Sequence, residues 1–430
     1  MINLMTSTAT EPTNPRPPQT SYPKERIEAV LLEGIHATGV ELLEADGLPV
    51  TQRKGAADDA ELAELISGAH LVGIRSKTRL RAGAIESAPK LLAIGCFCIG
   101  TNQVDLDAAT RLGIPVFNAP FSNTRSVAEL TVAEVVMLLR RVFERSSQMH
   151  AGRWVKSASG SREVRGKTLG IVGYGHIGSQ VSVLAEAMGL RVLYYDIADK
   201  LPMGNASPVA SLGELLGRAD AVTLHVPATD QTKGMIGAAQ IAQSKPGSFL
   251  INNARGSVVD LDALAAALRE GRLGGAAIDV FPEEPASRDA AFESPLAGLP
   301  NVILTPHVAG STEEAQEAIA GEVGAKLLRF LNTGSTGGAV NVPEVELVDQ
   351  DEAAHRERPH RILHFHQNVP GVLRQINTAV SEIGANVSSQ TLRTQGEIGY
   401  AVLDVNAEDA EDLRRRMNAI PETIRTRILW

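Results

Sequence analysis

From Ile27 onward, the apolar and polar positions of this chain alternate between strand-like runs and helix-like spacing. Short apolar runs bounded by turn residues predict strands at Glu28 to Glu33, Pro49 to Gln52, His70 to Arg75, Leu91 to Gly95 and Pro115 to Asn118. Helical spacing predicts helices over His36 to Asp46 and Asp58 to Ser67. Strands separated by helices pair in parallel, and ligands of such sheets bind beyond the carboxyl ends of the strands. A longer helix follows from Ser122 to about Arg145, with Ala128, Val132, Val135, Leu139 and Val142 on one apolar face. Ser126 and Glu129 have the spacing of a capping box at its start.

The alternation resumes at Gly170. Strands are predicted at Leu190 to Tyr195, Ala221 to Val226, Ser248 to Asn252, Gly274 to Val280 and Val302 to Thr305. A helix runs from Asp260 to Glu270 and is closed by Gly271, and Ser211 to Glu214 forms a second capping-box pattern. The helix from Thr312 to about Phe330 is expected to leave this region and return to the first. Gly334 to Val340 is rich in Gly, Ser and Thr, and the charged stretch Glu344 to Arg358 reads as a linker. The last elements are strand Arg361 to His366, helix Gly371 to Ile383, strands Asn386 to Thr394 and Gly399 to Val405, helix Asp409 to Asn418 and strand Thr423 to Leu429. Their β-α-β-β-α-β order is that of a ferredoxin-like module.

One stretch organises the middle of the chain. Gly170 to Gly178 reads as a buried strand ending in a G-x-G-x-x-G turn that opens a helix, Ser179 to Met188. Gly173 permits the tight turn, Gly175 lets the backbone approach a pyrophosphate, and Gly178 lets helix and strand pack closely. The free N–H groups and positive dipole end of that helix suit phosphates. Asp196 follows Gly178 by eighteen residues, at the end of the next strand, where an acid accepts hydrogen bonds from ribose hydroxyls and repels a 2′-phosphate. The cofactor expected is therefore NAD rather than NADP, with His176 and Ile177 in the same turn.

Composition narrows the field. At 430 residues the chain has room for two or three domains. A net charge of −9 argues against a nucleic-acid partner. No apolar run reaches membrane-spanning length and no secretory signal opens the chain, so a cytoplasmic protein is expected. Cys96 and Cys98 are the two cysteines; two residues apart, they read as small thiols rather than a disulfide or a metal site. His364 and His366 share a strand face, but no third ligand accompanies them, and no metal is expected.

Candidate chemistry collects at predicted strand ends. Arg255 can grip a carboxylate through two parallel hydrogen bonds, which fixes the carbon that exchanges hydride. His307 titrates near neutrality and can take the hydroxyl proton as hydride leaves. Glu284 can accept the other ring N–H and favour the charged imidazole. Each could instead be structural: an ion pair, a core histidine, a solvated loop charge. Arg75, Ser76 and Lys77 end a strand of the first region and suit an anion. His225 also ends a strand and reads as a cofactor-side contact.

These blocks resemble the D-2-hydroxy-acid dehydrogenases. The resemblance rests on Gly170 to Gly178, Asn253-Ala254-Arg255-Gly256, Asp279-Val280-Phe281 with Glu284-Pro285, and Thr305-Pro306-His307. Ile94 to Asp105 and Asn118 to Thr124 narrow it to a branch acting on a phosphorylated acid. The resemblance implies an α/β fold: a Rossmann NAD-binding domain at 123–309 and a flavodoxin-like substrate domain in two pieces, 25–122 and 310–345. It also implies a C-terminal ferredoxin-like ACT domain at 359–430, while residues 1–24, rich in Thr, Pro and Asn, read from composition as a disordered leader and 346–358 as a linker. The implied reaction is NAD-dependent oxidation of 3-phospho-D-glycerate to 3-phosphohydroxypyruvate, the entry to serine synthesis, with 2-oxoglutarate reduction as a side activity. Arg255, Glu284 and His307 are the implied catalytic set. Asn253, Ala254, Asp279, Val308, Ala309 and Gly310 join the cofactor side. Asn123, Gln316 and Lys156 join Arg75, Ser76 and Lys77 on the substrate side, with Trp154 and Lys156 reaching a neighbouring subunit. L-serine is the implied feedback inhibitor, held by His366 and Asn368 of one subunit and Asn386 of another in a homotetramer. The alternatives are another D-2-hydroxy-acid dehydrogenase, or an NAD-sensing binding protein that would not need the acid–base pair.

Overall fold

The computed structural model describes residues 22–285, 291–347, 360–407 and 410–429. The expected leader up to residue 21 and the linker from 348 to 358 lie outside these. The described residues form two compact units, one of those up to 118 with those from 320 on, the other of those between 119 and 319.

The first unit opens with a parallel sheet. Strands β1 (Ala29–Leu31), β2 (Val50–Gln52), β3 (Leu71–Ile74), β4 (Ala93–Cys96) and β5 (Val116–Asn118) pair in the order β2-β1-β3-β4-β5. The predicted helices form as Ala37–Ala45 and Asp59–Ile66, the second capped by the Asp58 carboxylate on the N–H groups of Ala60 and Glu61. Two short helices, Ala82–Glu86 and Leu106–Arg111, escaped the reading because they complete fewer than two turns. Val72, Ile74, Leu80, Ile94 and Val116 are among the side chains of the core that the helices cover.

In the second unit, β6 (Thr168–Val172), β7 (Arg191–Tyr195), β8 (Ser207–Pro208), β9 (Ala221–Leu224), β10 (Ser248–Asn252), β11 (Leu273–Ile278) and β12 (Val302–Leu304) form another parallel sheet. Its order is β12-β11-β10-β9-β6-β7-β8. Strand order reverses at β6, so the crevice of this sheet opens at the carboxyl end of β6, where the glycine turn lies.

Three local expectations are corrected here. The helix expected over Ser122 to Arg145 starts at Thr124 and divides at Arg141, whose φ of 53° ends Thr124–Arg140 and begins Val142–His150. The phase shift leaves Val142 exposed instead of on the core face. Ser126 and Glu129 make no capping box: both lie inside the helix, the Ser126 hydroxyl 2.8 Å from that of Thr312 and Glu129 paired with Arg125 at 2.6 Å. Finally, the helix expected from Ser179 begins at His176, because Gly175 itself occupies the cap position.

The C-terminal module completes the first unit. Strands β13 (His360–Gln367), β14 (Asn386–Gln395), β15 (Ile398–Asn406) and β16 (Thr423–Leu429) make an antiparallel sheet in the order β14-β15-β13-β16. Helices Val372–Glu382 and Ala410–Asn418 contribute Ile376, Val380, Leu413 and Met417 to one core with Ile362 and Leu403. This is the expected ferredoxin-like arrangement. Arg361 locks β13 to β15 through a buried two-point contact with Asp404, at 2.7 and 2.9 Å, and donates to the Thr333 carbonyl. The Tyr400 hydroxyl donates to the Gly334 carbonyl at 2.6 Å.

Candidate active site

The glycine turn has the shape its sequence demands. Gly173 has φ 91°, and a Cβ there would press on the His225 carbonyl. A Cβ on Gly178 would run into the Gly173 carbonyl oxygen, whereas one on Gly175 would meet nothing within 4 Å. Gly175 therefore leaves its backbone open to an incoming pyrophosphate at the start of helix His176–Ala187, and the turn fits a dinucleotide. Asp196 ends β7 with one oxygen 2.7 Å from the Tyr174 N–H and the other 2.9 Å from that of Ala198. Its position is thus set by the turn it serves. The His176 ring lies against Phe121, with centroids 3.8 Å apart, and Ile177 packs into the core behind the turn. His225 has its Nε2 3.0 Å from the Thr223 hydroxyl; burial holds its imidazole neutral, down to about 3.

Arg255, Glu284 and His307 come together within this unit. Glu284 reaches the His307 Nδ1 with both oxygens, at 3.0 and 2.9 Å, and accepts the Phe281 N–H at 3.2 Å. The hydrogen bond and charge of Glu284 raise the His307 pKa above its ordinary 6.5, against burial. For Glu284, burial acts upward, but the His307 contacts outweigh it and hold the carboxyl below its ordinary value, with Arg255 adding to the effect. With Nδ1 engaged, Nε2 is the nitrogen left for a substrate. Arg255 donates to the Ala254 carbonyl at 2.7 Å, and Asn252 fastens the same turn by donating to the Arg255 carbonyl and accepting from Ala254 N–H.

Asp279 stands beneath this group. It is fully buried, accepting from the Thr305 hydroxyl at 2.6 Å and from the backbone N–H groups of Val308 and Ala309 at 2.8 and 2.9 Å. It holds the turn in which His307 adopts the left-handed φ of 54°. Gly310 packs under Asn123: a Cβ there would collide with the Asn123 amide. Gln316 lies half-buried in the helix Glu313–Thr333, and Lys156 is exposed.

Arg75, Ser76 and Lys77 sit just past β3 in the first unit, where one residue the sequence reading missed organises them. Glu33 accepts the backbone N–H groups of Arg75, Lys77 and Thr78 at 3.2, 3.0 and 2.7 Å. It does so from a left-handed backbone, φ 65°, and its carbonyl takes a hydrogen bond from the Arg75 side chain. Gln103 caps the Arg75 carbonyl at 2.8 Å. Arg75 is half-buried, and Ser76 and Lys77 are exposed. The only sequence cue was an acid at the end of a strand adjacent to β3. Cys98 donates to the Gly100 carbonyl, and both cysteines are free thiols whose pKa burial raises.

In the C-terminal module, His366 is buried with Nδ1 2.8 Å from the Gln367 carbonyl, and its Nε2 has no partner among the described residues. Asn368 donates to the Gly396 carbonyl. Asn386 pairs with Asn406 while His366 pairs with Gly399, at opposite ends of β15. Seven residues of strand separate them, roughly 23 Å at ~3.3 Å per residue. One chain does not bring these side chains together.

Comparison with known proteins agrees with this geometry. Residues 132–309 match the D-isomer specific 2-hydroxyacid dehydrogenase NAD binding domain, and residues 362–425 match an AHAS small subunit-like ACT domain. The D-3-phosphoglycerate dehydrogenase of Haemophilus influenzae is 53% identical over 95% of this chain and 99% of its own length. That of Dictyostelium discoideum is 48% identical over 96% and 100%. Among solved structures, D-lactate dehydrogenase from Aquifex aeolicus, complexed with NAD and lactic acid, superposes with a TM-score of 0.64 at 28% identity. It covers 74% of this chain and 100% of its own. The TT0316 protein of Thermus thermophilus gives 0.65 at 34% identity, covering 71% and 97%. An NAD-binding sheet with its His307–Glu284 pair, an ACT module and near full-length identity to these relatives coincide: the chain belongs to the D-3-phosphoglycerate dehydrogenase family of NAD-dependent D-2-hydroxyacid dehydrogenases.

Proposed function

We propose that this enzyme oxidises 3-phospho-D-glycerate to 3-phosphohydroxypyruvate, the first step of L-serine synthesis. The observation that carries the reading is the His307–Glu284 pair, 2.9 Å apart, beside Arg255 in an NAD-binding unit. NAD, when bound, accepts the hydride. Arg255 holds the substrate carboxylate, His307 takes the hydroxyl proton on Nε2, and Glu284 stabilises the resulting imidazolium. Arg75, Ser76 and Lys77, assisted by Asn123, Gln316 and Lys156, provide for the phosphate. Gly173 to Gly178, Asp196, His225 and Asn253 to Arg255, with the turn from His307 to Gly310 that Asp279 anchors, serve the cofactor. A sensor without turnover would have no use for a carboxylate gripping His307 with both oxygens. NADH absorbance with phosphohydroxypyruvate, pyruvate and 2-oxoglutarate offered in turn tests the assignment. Preference for pyruvate would move the enzyme to another substrate in the family, and no turnover at all would favour the sensor. A measurable rate with 2-oxoglutarate would establish the side activity.

Glu33 yields a separable prediction. Glu33→Ala frees three loop amides and should raise KM for the phosphorylated acid about tenfold while changing kcat little. An unchanged KM in steady-state kinetics would separate the loop from the substrate.

The reading extends to regulation and assembly. L-serine binds at the ACT domain of a cytoplasmic homotetramer, between His366 and Asn368 of one copy and Asn386 of another. The opposite placement of His366 and Asn386 within one sheet supports a site shared by two copies. The exposed apolar stretch of Phe143, Met149, Trp154 and Val155 supports subunit association. In this reading the substrate domain takes 25–122 and 310–345, the cofactor domain 123–309 and the ACT domain 359–430. Asn386→Ala should relieve serine inhibition and leave the uninhibited rate intact; inhibition curves that superpose with wild type would remove Asn386 from the effector site.

A further inference from the structure

Glu134 lies on the inner face of the helix Thr124–Arg140 and is fully buried. Its Oε2 accepts from the Asn253 amide at 2.7 Å, and the same amide nitrogen reaches the Thr131 hydroxyl at 3.0 Å. Both amide hydrogens are then used. Two acceptors stay buried without a partner among the described residues, Glu134 Oε1 and Asn253 Oδ1. A buried acceptor lacking a donor is costly, and so is an unpaired buried carboxylate. One proton on the carboxyl removes the buried charge, which is the larger of the two costs.

We propose that Glu134 is carried as a neutral acid in the folded enzyme below neutral pH, and that in this form it clamps Asn253 and positions Arg255 two residues further on. The positioning half rests on the catalytic reading of Arg255. The charged group facing Glu134 is Asp279, at the end of β11, and its negative charge opposes ionisation. Asn253 and Thr131 are neutral, and the neighbouring helix His176–Ala187 presents Val181 and Ala185 to the same core. Burial pushes the carboxyl up to about 7, the Asn253 hydrogen bond offsetting part of the rise. Asn252 holds the Arg255 turn from within, so Asn253 is its tether to the helix.

Glu134→Gln keeps a neutral donor and acceptor in place; Glu134→Ala removes both. Infrared difference spectra of wild type against E134Q should contain the C=O stretch of a protonated carboxyl at about pH 6 that fades above neutrality. Because the folded pKa lies above the unfolded value, the folded state holds the proton more tightly. Wild-type stability relative to E134Q should therefore decline between about 4.5 and about 7 and level off above. E134Q should retain kcat/KM within about twofold, and E134A should lose about fivefold, mainly in kcat. A missing infrared band, or relative stability rising over that window, overturns the neutral acid. Full kcat/KM in E134A overturns the positioning role. The spectrum and the stability curve do not depend on Arg255, so normal turnover in Arg255→Ala would sink the catalytic reading and leave the protonation standing.

Discussion

Turnover of the His307→Ala enzyme should fall by about 10²- to 10⁴-fold, the range that a positioned acid–base group contributes. NADH affinity, followed by fluorescence titration, should stay near wild type, because His307 meets the cofactor side chiefly through its turn. Asp279 holds that turn by the N–H groups of Val308 and Ala309, which the substitution keeps. The pH dependence gives a second readout with a definite sign. Oxidation needs the imidazole neutral, so kcat/KM rises as pH passes the His307 pKa, which the Glu284 hydrogen bond and charge place above 6.5. Glu284→Gln removes that charge, and the rising limb should move to lower pH with a reduced plateau. Normal turnover in His307→Ala, or a limb that stays put in Glu284→Gln, would take the pair out of the mechanism.

Arg255→Ala should cost about a hundredfold in kcat/KM, through loss of a charge-assisted contact that also aligns the reacting carbon. Arg255→Lys should recover only part of this, because an ammonium cannot offer two parallel N–H groups to a carboxylate. Steady-state kinetics of both variants against the phosphorylated acid check the point. Equal activity of the lysine variant and wild type would mean that charge alone matters at this position.

The strand–helix alternation was legible because apolar period and turn residues are local properties. The ends of Ser248 to Asn252 and Thr423 to Leu429 came out as read. Where the reading failed, a tertiary contact had overridden a local pattern. Ser126 and Glu129 match a capping box, but Asn123 and Thr124 already start the helix and Thr312 claims the Ser126 hydroxyl. The break at Arg141 carries no glycine or proline to announce it; the Arg141 side chain pairs with Glu144 across it.

The chain's order of residues determined by itself the glycine turn with Asp196, the identity of Arg255, Glu284 and His307, and the β-α-β-β-α-β module. The turn and the module are patterns of short spacing, and Arg255, Glu284 and His307 each stand in a short local block, so all are visible without a fold. Only the tertiary structure decided what holds those groups in place. Glu33 collects amides up to 45 positions away, Asp279 grips the His307 turn across 29 or 30, and Glu134 meets Asn253 across 119. A buried carboxylate finds its donors in space, and no periodicity along the chain records which N–H groups folding will deliver to it.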